Sequence, residues 1–224
     1  LRFNSADSAY LNRTPASASN QKTWTFSAWV KRAAISTTEV TVFGKADTYI
    51  SINSNSLTAN FSNGGANYFM QATAVLRDPS AWYHIIIVLD TTQATAANRA
   101  SMYVNGVQTT AFQLSTYTNM AQNYDAAVNS AAAHAIGRYS GASPSAYFDG
   151  YMTEVNFIDG QALTPSSFGE TNAQTGVWQP KAYSGSYGTN GFYLNFSDNS
   201  NTTAATLGKD YSGNGNNWTP NNFS

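Results

Sequence analysis

The chain has 224 residues, of which 14% are aromatic and only 10% charged, with no cysteine and a formal net charge of −1. Charge is far below the ~25% usual for globular domains, and no Lys/Arg cluster provides the footprint a phosphate-backbone reader needs, so nucleic acid is excluded as a partner. The absence of cysteine removes disulfides, thiolate metal sites and thiol nucleophiles, and the longest apolar run, Ile85 to Leu89, is far short of the roughly 20 residues of a membrane-spanning helix, so no membrane insertion is expected.

The chain opens on "LRFNSADSAYL", without an initiator Met, a signal peptide or a polar lead-in, and reads as a segment of something longer. Ser, Thr, Asn and Gly supply most of the polarity, and these residues suit turns and strand faces rather than helix surfaces. Short strand-like runs separated by turn residues predict strands at 9–11, 23–32, 40–45, 49–53, 57–62, 68–72, 82–90, 100–104, 107–112, 135–138, 149–158 and 191–196. In "WTFSAWVKR" Trp24, Phe26, Ala28 and Val30 share one face, which should be core. Trp29 falls on the polar face, either as an exposed sugar platform or, the preferred reading, beneath a covering segment. "WYHIIIVLD" is apolar on both faces and predicts a central strand covered on both sides.

Asn105-Gly106, between apolar flanks, predicts a two-residue type I′ hairpin turn, because both residues tolerate positive φ. The alanine-rich stretch 120–135 is broken by Asn, Asp and Ser and predicts a long loop. "LTPSSFGE" predicts a short helix capped by Thr164, with Pro165 at its first position and Gly169 at its end. The core should hold Phe26, Val30, Val42, Ile52, Ile86, Val88, Val104, Ile136, Val155 and Phe157.

The order "TWTFSAWVKR", "VFGKAD", "AWYHIIIVLD", "ASMYVNGVQT", "HAIGRYSG" and "YFDGYMTEVNFIDGQALTPSSF" resembles the laminin-G-like family of the concanavalin A-like lectin/glucanase superfamily. The resemblance implies an all-β sandwich of two antiparallel sheets with jelly-roll topology. It covers the chain from Leu1 to about Phe168, giving a core at 1–170. Residues 171–224 are then expected to return and complete the same sandwich. The competing reading makes "FYLNFSDNS…KDYSGNGNNW" the opening of a next module, paired with another subunit. The termini of compact domains lie close together, which favours the return.

The flavour of "SADSAYLNRTPASASNQKTWTFSAWVKR" and of the closing segment is similar to laminin-G-like modules in tail-fibre or appendage proteins of bacterial viruses, notably marine ones. That resemblance implies a virion-surface, extracellular location. It further implies a lectin-like, non-enzymatic module that attaches to host-surface carbohydrate within a homo-oligomeric fibre of virion subunits. A purely structural capsid or fibre decoration module, making protein–protein contacts, is the alternative.

Hydrolysis is disfavoured. The E-x-D-x-x-E strand motif of the family's glucanases is missing, and the only glutamates are Glu39, Glu154 and Glu170. Glu154 stands five residues from both Asp149 and Asp159, about 17 Å along a strand and on the opposite face, whereas a glycosidase pair needs roughly 5–9.5 Å. Glu154 matches the family's E-V position, where a structural hydrogen bond is expected. His84 falls in the family's W-x-H-v strand, His134 reads as a surface or edge residue, and no G-x-S-x-G elbow or phosphate loop is present.

No cofactor is required by this reading. Calcium is the one metal left open, at Asp149, as relatives' rim sites imply, or at Asp210. Residues Asp210 to Gly215 match a calcium loop at four positions but lack its closing glutamate, and a solvated turn is the competing reading. Glycan binding needs aromatic faces beside amides and carboxylates. The loops offer Asn63, Asn67 and Tyr68, then Arg138, Tyr139, Tyr147 and Asp149, and also Tyr183 and Tyr187.

Overall fold

The computed structural model describes residues 1–223. The first eight strands are Arg2–Phe3 (β1), Tyr10–Arg13 (β2), Thr23–Arg32 (β3), Val40–Lys45 (β4), Thr48–Asn53 (β5), Ser56–Phe61 (β6), Tyr68–Val75 (β7) and Tyr83–Asp90 (β8). Ala100–Val104 (β9), Val107–Gln108 (β10), Phe112–Ser115 (β11), His134–Ile136 (β12) and Gly150–Asp159 (β13) follow. Gly169–Thr171 (β14), Trp178–Pro180 (β15), Phe192–Leu194 (β16) and Thr219–Asn221 (β17) complete the set.

The protein is an all-β sandwich of two large antiparallel sheets. The first runs β1-β13-β3-β8-β9-β10, with β16 also paired to β13; the second runs β11-β7-β6-β5-β4-β12-β2-β17. Asn105 and Gly106 sit at φ 49° and 80°, the positive pair a type I′ turn requires, and close the β9–β10 hairpin. The predicted strand 107–112 is instead two pieces in different sheets: β10 pairs β9, and β11 pairs β7. Residues 109–111 carry the chain across the open end of the sandwich, which no alternation pattern reveals.

Strand alternation sorts the side chains. Ile85, Ile87 and Leu89 of β8 point into the main core, together with Trp24, Phe26 and Val30 of β3. Phe43 is the hub: it stacks on Phe26 at 4.7 Å and meets Phe157, Phe192 and Trp218 within 6.3 Å. Trp218 comes from the last stretch of the chain and is 1% exposed. Burying side chains of this size contributes about 1.5–3 kcal/mol each.

Ile86 and Val88 are buried but belong to a second cluster. They face outward from β8 and are covered by Ile158, Phe168 and Tyr187. Val104 is only partly buried at the rim of the main core. Trp29 is covered, stacked on His84 at 5.0 Å. His134 is not a surface residue. β12 lies between β4 and β2, which leaves the imidazole 4% exposed and in contact with Phe43. The predicted helix at 164–169 is a single 3-10 turn, Pro165–Ser167, whose Thr164 makes no side-chain cap. Gly169 begins β14 rather than ending a helix, because its backbone pairs with Pro180.

The closing segment pairs within this chain. Phe192–Leu194 lies antiparallel to Val155–Phe157, and Thr219–Asn221 lies against Tyr10–Asn12. Among the described residues, no helix is long and apolar enough to cross a membrane.

Candidate functional site

The outer face of the second sheet carries a groove of about 320 Å³. It is built on one row across four strands: Gly44 faces Tyr49, Tyr49 faces Asn60, and Asn60 faces Phe69. The row follows from alternation. Tyr49, Ser51 and Asn53 share the outer face of β5, while Ile50 and Ile52 face the core. A bulge between Thr41 and Phe43 bends β4 beside this row. Gly44 is required here, since a Cβ would come within 2.6 Å of the Tyr49 backbone.

The 138–149 loop forms the far wall. Tyr139 meets Tyr49 edge-on at 5.6 Å. The loop is pinned by Thr41 N–H to the Ala146 carbonyl at 2.7 Å and by Ala46 N–H to Ser140 Oγ at 2.9 Å. Asn60 donates from Nδ2 to the Asp47 carbonyl and to Asn67 Oδ1, which fixes its amide and leaves Oδ1 without a partner. Thr41 Oγ1, also buried on the groove lining, has none either. Both oxygens are closed off from solvent, so the groups the groove presents to a ligand are those of its other lining side chains.

Glu39 accepts the Ser51 hydroxyl at 2.6 Å, and Lys45 pairs with Asp47 at 3.2 Å. Burial first, then Glu39 and Tyr139, push the Tyr49 hydroxyl up to about 12, so it stays a donor at neutral pH. Ser51 and Asp47 are separated by roughly 13 Å along the strand direction at ~3.3 Å per residue. Asp47 and the Ser51 that holds Glu39 therefore mark different positions along the groove.

A second hollow of about 350 Å³ adjoins the first and shares Glu39 and Ala146 with it. It is lined by Arg32, Tyr147 and Asp149 among others.

The structure therefore brings Asn67 and Tyr139 into the groove and places Tyr147 and Asp149 next door. Asp149 pairs with Arg2 at 2.7 Å. Arg138 lies over the Tyr10 ring at 3.8 Å and lines neither hollow. Tyr68 packs on Tyr124 at 5.2 Å, and Asn63 is exposed on the β6–β7 turn. Tyr183 and Tyr187 pack on the outer face of the first sheet, where the Tyr187 hydroxyl donates to Asn156. Glu154, at φ 51° in the β13 bulge, accepts the Tyr193 hydroxyl at 2.6 Å.

Asp210 is committed to its own chain. Oδ1 accepts the Tyr193 and Ser212 N–H groups, and Oδ2 accepts the Ser212 hydroxyl and the Asn216 N–H. Among the described residues no three His, Asp or Glu side chains converge on one point. Sequence reasoning about loops missed Glu39, Thr41, Tyr49, Asn60 and Phe69, which stand on or beside strands. Their signal was the polar and aromatic outer face of β5 and β6.

Two facing antiparallel sheets of this kind define a jelly-roll β-sandwich. A laminin-G model of the concanavalin A-like lectin/glucanases superfamily matches residues 4–167, and the chain belongs to that superfamily. The heptameric SAP-like pentraxin of Limulus polyphemus is similar, with TM-score 0.50 and 15% identity, over 73% of this chain and 72% of that one. Domain 4 of AbnA, a GH43 extracellular arabinanase of Geobacillus stearothermophilus in complex with arabinotriose, has TM-score 0.46 and 23% identity, over 66% and 65%. Domains LG4-5 of the mouse laminin alpha1 chain have TM-score 0.49 and 11% identity, over 82% and 44%. No curated protein matches the chain in sequence.

Proposed function

We propose that this chain is a non-enzymatic carbohydrate-binding module of a viral surface appendage, attaching to host-surface glycan and needing no cofactor. The observation that carries the reading is the Tyr49–Asn60–Phe69 row, walled by Tyr139 and flanked by the Asn67 amide. Aromatic faces suit the C–H surface of a sugar ring, while amide and hydroxyl groups suit its hydroxyls. The absence of the E-x-D-x-x-E strand motif of the superfamily's glucanases supports binding without hydrolysis. The viral setting rests on the likeness of the chain's opening and closing segments to appendage modules. Calcium at Asp149 would compete with Arg2, and at Asp210 with four internal donors.

A glycan array probed with the protein tests this, with and without a chelator. Binding that survives chelation and disappears in Tyr139→Ala is the expected result. An array with no signal overturns it.

The structural-decoration reading has one observation of its own. Val107, 70% exposed, lines an apolar cleft of about 270 Å³ between β7 and the β9–β10 hairpin. An oligomer dispersed by Val107→Lys, together with a blank array, would favour that reading.

A further inference from the structure

The charges around the groove are not balanced. Three carboxylates line the two adjoining hollows. Asp47 is neutralised by Lys45, and Asp149 by Arg2. Glu39 has no basic partner among the described residues; its one hydrogen bond is from the Ser51 hydroxyl. It also lines both hollows, so a ligand crossing from one to the other passes it. Arg32, the cation nearest in the lining, belongs to the second hollow only. It is 2% exposed and turns its Nη atoms to Asn55 Oδ1 and to the Leu76 and Ser36 carbonyls.

We propose that Glu39 is the specificity-determining residue of this groove, admitting saccharides that are uncharged or carry a free amine and rejecting those that carry carboxylate or sulfate. The inference rests on the carbohydrate reading above and names the chemical class that reading leaves open. A fixed negative charge on a partly buried wall repels a second anion more strongly than it would in open water. It costs nothing against a hydroxyl, which can donate to it, and attracts an ammonium. Specificity obtained by a repulsive group of this kind needs no extra contact with the favoured ligand. Asp47 does not act in the same way, because Lys45 already offsets it.

The test uses the full chain on an array pairing neutral oligosaccharides with their amine-bearing and their uronate-, sialate- or sulfate-bearing counterparts. Acidic members are expected to bind weaker than their neutral counterparts by about tenfold or more, an effect that raised salt narrows. Glu39→Gln should shrink that gap to within about threefold, a loss of charge repulsion at preserved shape. Glu170→Gln, which removes an exposed carboxylate that lines neither hollow, should leave the gap open. Melting temperatures identify any variant that misfolds, in which case the wild-type gap and its salt dependence decide. Acidic and neutral sugars binding equally to the wild type, or a gap unchanged in folded Glu39→Gln, would overturn the assignment while leaving the groove a sugar site. Failure to bind any saccharide, whatever its charge, would overturn the carbohydrate reading itself.

Discussion

The Trp178 indole donates its N–H to Nδ1 of His84 at 2.9 Å, across 94 residues of sequence. That bond leaves Nε2 to carry the proton, 2.8 Å from Ser27 Oγ. Trp29 stacks on the same imidazole, so two tryptophans and a histidine clamp the β14–β15 ribbon to the first sheet. Gly169 makes room for the indole, since a Cβ there would come within 2.4 Å of it. Trp178→Ala should therefore cost about 3 kcal/mol, comparable to other large aromatic truncations. It should also expose Trp29. Urea unfolding gives the first quantity, and acrylamide quenching of tryptophan fluorescence reads the second.

Acid should weaken the fold well before the carboxylates titrate. Burial holds both His84 and His134 down at about 4, against 6.5 for a free imidazole. The unfolded chain therefore binds protons that the folded one refuses. The stability from neutral burial is fully present above pH 6.5 and is lost as pH falls toward 4. Each histidine contributes about 3 kcal/mol to this loss. Stability measured by urea unfolding from pH 7 to 4 should decline over that window. His84→Gln or His134→Gln should each remove about half of the slope, and an unchanged slope would contradict the assignment.

Asp210 is 6% exposed and anchors the tail by accepting four hydrogen bonds. Asp210→Ala strands those donors and should cost about 3 kcal/mol or more. Asp210→Asn, which keeps one acceptor oxygen, should fall between. Saturating calcium should leave the melting temperature of the wild type unchanged, since a ligand that binds only the folded state would raise it.

Gly44→Ala separates the groove from the core. The added methyl meets the Thr48 and Tyr49 backbone at 2.6 Å, so β5 must shift beneath the aromatic row. Overpacking of this kind costs about 1–3 kcal/mol. Saccharide binding should fall by more than that loss of stability alone implies, because Tyr49 and Asn60 would lose their alignment. Parallel melting and array measurements check both effects.

Much of the sandwich was legible in the sequence because its main strands are long and patterned. Thr23–Arg32 and Ala100–Val104 have the predicted boundaries, and Asn105-Gly106 marks its own hairpin. The short strands "GET", "WQP" and "TPN" carry no period to detect, and the last two contain proline. The site was half legible. Asn67 and Tyr139 stand out as an amide and an aromatic in polar loops. Tyr49 and Phe69 look like ordinary strand aromatics until register aligns them with Asn60. The burial of His134 depended on β12 slipping between β2 and β4, a long-range event with no local trace.

One edge of β13 is shared by the two ends of the chain. Arg2–Phe3 covers Gly150–Tyr151, and Phe192–Leu194 covers Val155–Phe157. The opposite sheet ends with β17 against β2. The first sheet joins residues about 150 positions apart (Arg2 with Tyr151) and the second about 210 (Tyr10 with Asn221), so a ribosome must release nearly the whole segment before the sandwich closes. Loop closure over such separations places folding among the slow, millisecond-to-second β topologies. Stopped-flow refolding should show this, and truncation before Trp218 should leave a nascent chain that chaperones hold rather than a smaller folded unit.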